Sequence, residues 1–139
     1  MKSRFWLLGI IMLVTSMGFP MIGSTQPPIT ALPDCQGKLA VRPTQVVFAC
    51  GDGNVYATGA VWSRWGQQFA TATATLHAND CTPYCAAGHF HTSAAVLVVA
   101  GSQQCPGGRV AYRRVAYGPR TLGTPNAHSK LDWFDRPCH

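Results

Sequence analysis

The 139 residues leave room for one domain, and a hydrophobic fraction of 47% excludes a disordered chain. The formal net charge is +6, and it falls to about +4 without the two basic residues near the N-terminus, which is low for a nucleic-acid-binding protein, so no nucleic-acid partner is predicted. All five acidic residues are Asp and none is Glu. This composition removes a frequent general acid and a good helix former, and it favours a non-catalytic β domain.

The N-terminus has the pattern of a signal peptide, which we predict over residues 1–25. Lys2 and Arg4 form a positive n-region, and residues 5–14 (FWLLGIIMLV) form an apolar h-region. An uncleaved membrane anchor is the alternative, because residues 5–22 carry no charge. A glycine and a proline interrupt that run, so we expect cleavage and a secreted or cell-envelope protein that leaves the membrane.

Residues 26–34 (QPPITALPD) are interpreted as a Pro-rich linker, since proline cannot donate a hydrogen bond to a sheet. Residues 35–139 are predicted to form a single β-rich secreted domain. Within it, β-favouring runs separated by turn residues lie at 44–50, 55–62, 69–77, 90–100 and 109–117. We therefore predict an all-β fold, a small antiparallel sandwich or barrel of five to six strands held together by disulfides.

The turn between the first two runs is the most specific local feature. Residues 51–54 (GDGN) tolerate positive φ, which predicts a tight hairpin joining residues 46–50 to residues 55–60.

Residues 70–77 (ATATATLH) alternate strictly between small apolar and polar side chains. The alternation predicts a strand with one buried and one wet face. The buried face would carry Ala70, Ala72, Ala74 and Leu76, and the wet face Thr71, Thr73, Thr75 and His77. Alanines leave space opposite them, and we expect Trp62 and Trp65 to fill it.

Six cysteines in an exported chain of this size predict three disulfides. Sequence alone allows many connectivities, and the partners of Cys50, Cys81, Cys85 and Cys105 are the least certain. The preferred set is Cys35 with Cys50, Cys81 with Cys85, and Cys105 with Cys138.

Histidines suggest two alternative metal sites. His77, Cys81, Cys85 and His89 recur every four residues and are zinc-type ligands, although their chain segment does not suit a helix. His89 and His91 would project from one strand face and, with His77, form a three-imidazole site for zinc or copper. Solvent-facing histidines explain the same spacing, so the leading prediction contains no cofactor.

A ligand-stacking platform is a further hypothesis, with Trp62, Trp65 and Tyr84 as its members, although small domains usually place tryptophan in the core. Four arginines interleaved with tyrosines in residues 109–120 suit an anionic cell-envelope polymer better than nucleic acid. No GxSxG turn is present, and we predict no catalytic residue. A small hydrolase using the three histidines remains the alternative.

Three motifs carry a resemblance to a known group: residues 49–54 (ACGDGN), 62–66 (WSRWG) and 79–88 (NDCTPYCAAG). The chain resembles small exported proteins of actinobacteria, including streptomycete and mycobacterial relatives, in these motifs. The WxxWG and NDCxPxCAxG patterns are the most specific part of this resemblance. The resemblance spans roughly residues 49–117 and implies no established activity. The function predicted is therefore general: a binding or cell-surface module whose partner is a cell-envelope polymer or an extracellular protein.

Overall fold

The computed structural model describes residues 29–122 and 131–139, so the predicted signal peptide and the first residues of the predicted linker lie outside the described residues. The described chain forms antiparallel sheets that curl into a half-barrel, which confirms the all-β prediction. Its strands are β1 (Leu32–Pro33), β2 (Leu39–Ala40), β3 (Val46–Val47), β4 (Val55–Ser63), β5 (Phe69–Asn79), β6 (Phe90–Gln104), β7 (Val110–Pro119) and β8 (Trp133–Asp135). Three short 3-10 turns occupy Cys85–Ala87, Pro106–Gly108 and Arg120–Leu122. Among these residues, no helix is long and apolar enough to cross a membrane.

Strands β3 to β8 form one meander in which each strand pairs with the next along the chain. Four of the five predicted runs are the long strands β4 to β7. The run at 44–50 contains only the two-residue strand β3, because the backbone N–H groups of Phe48 and Ala49 both donate to the carbonyl of Val55 as the chain bends into the turn. Central strand β6 is buried on both faces over its Val-rich middle, which explains why that stretch does not alternate.

The predicted hairpin between β3 and β4 is confirmed. Val46 pairs with Ala57 and Val47 with Tyr56, and Gly53 in the turn has a φ of 69°. The Asp52 carboxylate accepts a hydrogen bond of 3.0 Å from the backbone N–H of Asn54. An Asx turn and one left-handed glycine therefore reverse the chain here.

The alternation along β5 also gives the predicted faces. Ala70 and Ala72 are buried, whereas Thr73 and Thr75 are exposed. Thr71 is the exception: it lies on the predicted wet face but is only 7% exposed. Its hydroxyl lies 2.9 Å from that of Ser63 on β4, so a cross-strand hydrogen bond satisfies the buried group.

The space opposite the alanines is filled as predicted. Trp62 stands opposite Ala72 across the β4–β5 ladder and packs against the core. The ring centroids of Trp62 and Trp65 are 5.0 Å apart, and Trp65 in turn meets Tyr112 edge-to-face at 5.2 Å. A small residue on one strand thus makes room for a large ring on its neighbour.

The described part of the predicted linker is not a free spacer, which corrects the interpretation of residues 26–34. Ile29, Ala31 and Leu32 are buried, and the backbone N–H of Tyr112 donates to the carbonyl of Ala31 at 2.8 Å. Residues 29–31 thus run parallel to the first half of β7, while β8 pairs with its second half. Pro33 is tolerated because β1 is a two-residue strand in the separate two-stranded sheet that it forms with β2.

All three preferred disulfides are confirmed: Cys35–Cys50, Cys81–Cys85 and Cys105–Cys138. None of the six cysteines lies in the long strands β4 to β7. The first bridge ties the β1–β2 hairpin to the turn after β3, and the third ties the C-terminal tail to the end of β6. The cross-links therefore hold the peripheral segments onto the central sheet.

Candidate functional site

A cleft lies between the β1–β2 hairpin and strand β3, with a volume of about 320 Å³. Its wall includes Pro33, Asp34 and Cys35 from the hairpin, and Val46 and Cys50 from the β3 side. Arg136, which directly follows β8, completes the lining. We call this space the hairpin cleft.

The turn between β1 and β2 shapes one wall of the hairpin cleft. The Oδ1 atom of Asp34 accepts hydrogen bonds from the backbone N–H groups of Gln36 and Lys38, at 2.9 and 2.8 Å. Gly37 has a φ of 79°, and a Cβ there would lie 2.7 Å from Cδ2 of His139. The tight turn and the packed C-terminal residue both require glycine at this position.

Arg136 bridges the two borders of the half-barrel. Its backbone N–H donates to the carbonyl of Arg113 on β7 at 2.7 Å, which anchors it beside β8. Its side chain reaches the opposite border, where the guanidinium donates to the carbonyl of Val47 and, at 3.1 Å, to Cys50 Sγ. The Gln103 amide also donates to the carbonyl of Arg136, so backbone and side chain are both held in place.

The charge of Arg136 is poorly compensated. The residue is 3% exposed, and within residues 29–122 and 131–139 no carboxylate lies close enough to form an ion pair with it. Burial lowers the pKa of Arg136, and the nearby charge of Asp34 opposes that shift. An arginine keeps its proton in proteins, so the hairpin cleft contains a buried cation whose hydrogen-bond acceptors are the neutral carbonyls of Val47 and, at 3.5 Å, Asp135, and the weakly accepting Cys50 Sγ.

The three-imidazole hypothesis is wrong in its geometry. Across the β5–β6 ladder His77 stands opposite Thr92, whereas His91 stands opposite Ala78. Side chains alternate along a strand, so His77 and His91 project from opposite faces of the sheet. In the part of the chain that the structure describes, no group of three His, Cys, Asp or Glu residues is placed to hold a metal ion. Disulfide formation likewise removes Cys81 and Cys85 as ligands of the alternative zinc set with His77 and His89.

His91 instead pairs with Asp80, whose carboxylate organises the loop before β6. Nε2 of His91 lies 3.0 Å from Asp80 Oδ2, while Asp80 Oδ1 accepts from the backbone N–H groups of Thr82 and His89, each at 3.0 Å. These hydrogen bonds, that of His91 above all, hold the pKa of Asp80 well below its ordinary value of 3.8. The contacts are those of a folded loop, with each carboxylate oxygen already occupied.

His77 lies in a small aromatic cluster on the outer face of β4 to β6. Its ring stacks on Tyr56 at 4.5 Å with an interplanar angle of 4°, and Phe90 meets Tyr56 edge-on at 5.6 Å. Nε2 of His77 lies 2.9 Å from the Thr58 hydroxyl. The imidazole is thus engaged in cross-strand packing and hydrogen bonding.

The stacking platform is not assembled as hypothesised. Trp62 and Trp65 pack against the core, and their indole N–H groups donate to the carbonyls of Pro43 and Thr30. Tyr84 is 63% exposed in the loop before the first 3-10 turn, and no ring contact joins it to either tryptophan among the described residues. The two indoles stabilise the core, as expected from the usual position of tryptophan in small domains.

Sequence reasoning missed Arg136 and Asp34, the two charged residues of the hairpin cleft. Asp34 lies between a proline and a cysteine, and Arg136 directly precedes a proline and a cysteine. Neither short segment shows hydrophobic periodicity. Only the pairing of β8 with β7 and the curl of the sheet bring them to the same cleft. The one available signal was that Arg136 stands two residues before Cys138, in a C-terminal tail that the predicted disulfide fixes to the domain.

Comparisons with known proteins leave the cleft to be interpreted from its own residues: no protein-family model, no curated protein and no solved structure matches this chain.

Proposed function

We propose that this protein is an exported, disulfide-stabilised β domain that acts by binding, and that the hairpin cleft binds the carboxylate group of a small anionic ligand. The observation that carries the proposal is the buried Arg136 guanidinium in the lining of the cleft, which forms no direct ion pair with a carboxylate of the described residues. Export is supported by the signal-peptide pattern of residues 1–25 and by three disulfides, which persist in oxidising compartments.

A buried cation favours an anionic ligand for a simple energetic reason. Removing a charge from water is costly unless an opposite charge or several hydrogen bonds replace the lost hydration. A carboxylate would give Arg136 charge-assisted hydrogen bonds, which are stronger than its present bond to Cys50 Sγ. The volume of about 320 Å³ also falls at the lower end of the range typical of small-molecule sites.

Asp34 limits what the cleft accepts. Its carboxylate lines the same space, so a ligand with several negative charges would meet repulsion there. We therefore propose a ligand that carries one carboxylate beside neutral or cationic groups, such as the end of a cell-envelope polymer or a small metabolite.

Export is tested by the intact mass of the protein recovered from culture medium. We expect a chain that lacks the leader and has no free thiol. A chain beginning at Met1 in the membrane fraction would contradict the export part of the proposal.

Binding is tested by NMR titration with sodium acetate and with sodium succinate, following the backbone amides of residues around the hairpin cleft. Saturable shifts are expected with acetate, and weaker binding per carboxylate with succinate because of Asp34. Arg136→Gln should abolish the acetate response, whereas Arg109→Gln, which removes an exposed arginine that does not line the cleft, should retain it.

A second variant keeps the test decisive if Arg136→Gln does not fold. Asp34→Asn retains an oxygen acceptor for the turn and removes the negative charge from the cleft, so acetate affinity should rise several-fold. Shifts that do not saturate, or an affinity that Asp34→Asn leaves unchanged, would overturn the carboxylate assignment.

A further inference from the structure

We propose that the Cys35–Cys50 disulfide is a reversible thiol-exchange site, in which a small-molecule thiol attacks Cys35 Sγ and Cys50 departs as a thiolate stabilised by Arg136. Both sulfurs belong to residues that line the hairpin cleft. This inference depends on the bridge and its neighbouring cation and does not require the carboxylate ligand proposed above.

Access distinguishes this bridge from a buried structural one. Cys50 is exposed and Cys35 is partly exposed, and the adjoining cleft has room for a small thiol. In the third bridge Cys105 is 5% exposed and its partner Cys138 is partly exposed, so neither sulfur belongs to an exposed residue. Thiol–disulfide exchange requires the attacking sulfur to reach the bridge, so the first bridge meets this requirement better than the third.

The surroundings of the two sulfurs differ in charge. Nη1 of Arg136 lies 3.1 Å from Cys50 Sγ, and Cys35 Sγ lies 3.7 Å from the carbonyl oxygen of Val47. A cation stabilises negative charge on the first sulfur, while the negative end of a carbonyl dipole disfavours it on the second. The better-stabilised thiolate is the better leaving group, which directs attack to Cys35 and departure to Cys50.

The thiol–disulfide exchange proceeds in two steps. The incoming thiol first loses its proton to solvent, and its thiolate forms a bond to Cys35 Sγ while the electron pair of the Cys35–Cys50 bond passes to Cys50 Sγ. The product is a mixed disulfide at Cys35 with a Cys50 thiolate beside Arg136. A second thiolate can then attack the small-molecule sulfur, which releases a symmetrical small disulfide and leaves both cysteines reduced, so that two thiols supply the two electrons. Alternatively, Cys50 attacks Cys35 Sγ and restores the bridge.

The experiment treats the oxidised protein with glutathione at neutral pH, blocks thiols at timed intervals and maps the bridges by mass spectrometry. We expect the Cys35–Cys50 bridge to open faster than Cys105–Cys138, with glutathione attached to Cys35 and not to Cys50. Arg136→Gln should slow opening of the first bridge about three- to tenfold and leave the other two bridges unchanged. Arg109→Gln provides the control for net charge.

Two results would overturn the proposal: glutathione attached mainly to Cys50, or an Arg136→Gln variant in which all three bridges change rate together. If that variant does not fold, the wild-type protein provides the test. After selective reduction of the first bridge, Cys50 should be alkylated at half its maximal rate at a lower pH than Cys35, and equal midpoints or the reverse order would equally overturn the assignment.

Discussion

The centre of this molecule and its periphery are held together by different interactions. Strands β4 to β7 contain most of the buried apolar side chains, among them Leu97, Val99 and Tyr112. The β1–β2 hairpin also buries Leu32, but the three disulfides and the polar contacts of Arg136 and Asp80 fasten this hairpin, the loop before β6 and the C-terminal tail to the sheet. Most of the hydrophobic stabilisation therefore lies in the sheet, whereas the hairpin cleft lies among the segments fastened to it.

This division follows from the length of the segments. The peripheral segments are short and contain few of the buried large side chains, so cross-links and specific hydrogen bonds add to the hydrophobic effect there. Substitutions at the centre should therefore act on global stability, and substitutions at the periphery on local structure.

The largest effect is expected at the centre of β6. Leu97 is 0% exposed, so Leu97→Ala removes buried methyl groups and leaves a cavity, which should lower the free energy of unfolding by about 2–5 kcal/mol. Val61 on β4, which is 71% exposed, is the control, and Val61→Ala should change the free energy of unfolding by no more than about 0.5 kcal/mol. Urea titration measures the free energy of unfolding of both variants. Similar decreases in the two variants would mean that Leu97 does not lie in the core.

A smaller effect should separate the two faces of β5. Ala72 is 3% exposed and stands opposite Trp62, so Ala72→Gln inserts a bulky polar group against an indole and should cost roughly 1–3 kcal/mol. Thr73 is exposed on the other face, and Thr73→Gln should be nearly neutral. Equal midpoints for the two variants in denaturant would show that the faces are exchanged.

The same division separates what the sequence predicts from what it does not. The period-two pattern of residues 70–77 and the turn residues 51–54 are local signals, and they are sufficient to place β4, β5 and the two faces of β5. Cysteine pairing was predicted from spacing and compartment. The position of residues 29–33 was not predicted. Proline content indicates that a segment cannot pair inside a sheet, but it does not indicate whether the segment pairs at the edge.

The candidate site was beyond local reasoning. Asp34 and Arg136 are about a hundred residues apart, and their meeting depends on the curl of six strands and on two segments sharing the edge of β7. Histidine spacing gave a misleading signal for a related reason. It cannot show the register between β5 and β6, which puts His77 and His91 on opposite faces of the sheet.

At the border between centre and periphery, the β3–β4 turn allows a purely backbone effect to be measured. Gly53 has a φ of 69°, and a Cβ there would meet nothing within 4 Å. Gly53→Ala should therefore cost about 1–2 kcal/mol from the left-handed conformation alone. Gly51 has equally open space and lacks a left-handed φ, so Gly51→Ala should be neutral or slightly stabilising. Thermal melts of the pair test this, and equal costs would indicate a different turn.

The smallest expected effect is local and depends on pH. Because hydrogen bonds, chiefly that of His91, lower the pKa of Asp80 in the folded protein, the ionised carboxylate contributes stability at pH values above its ordinary value of 3.8. That contribution declines as the pH falls below 3.8 and is gone once the pH lies below the lower, folded-state value. NMR titration from pH 5 downward should therefore show the amides of Thr82 and His89 unchanged until the pH lies below 3.8. His91→Ala removes the largest cause of the pKa shift and should move the midpoint of the Asp80 titration upward. A midpoint at the ordinary value in both proteins would mean that the Asp80 carboxylate forms no hydrogen bonds in solution and that the disulfide alone holds the loop.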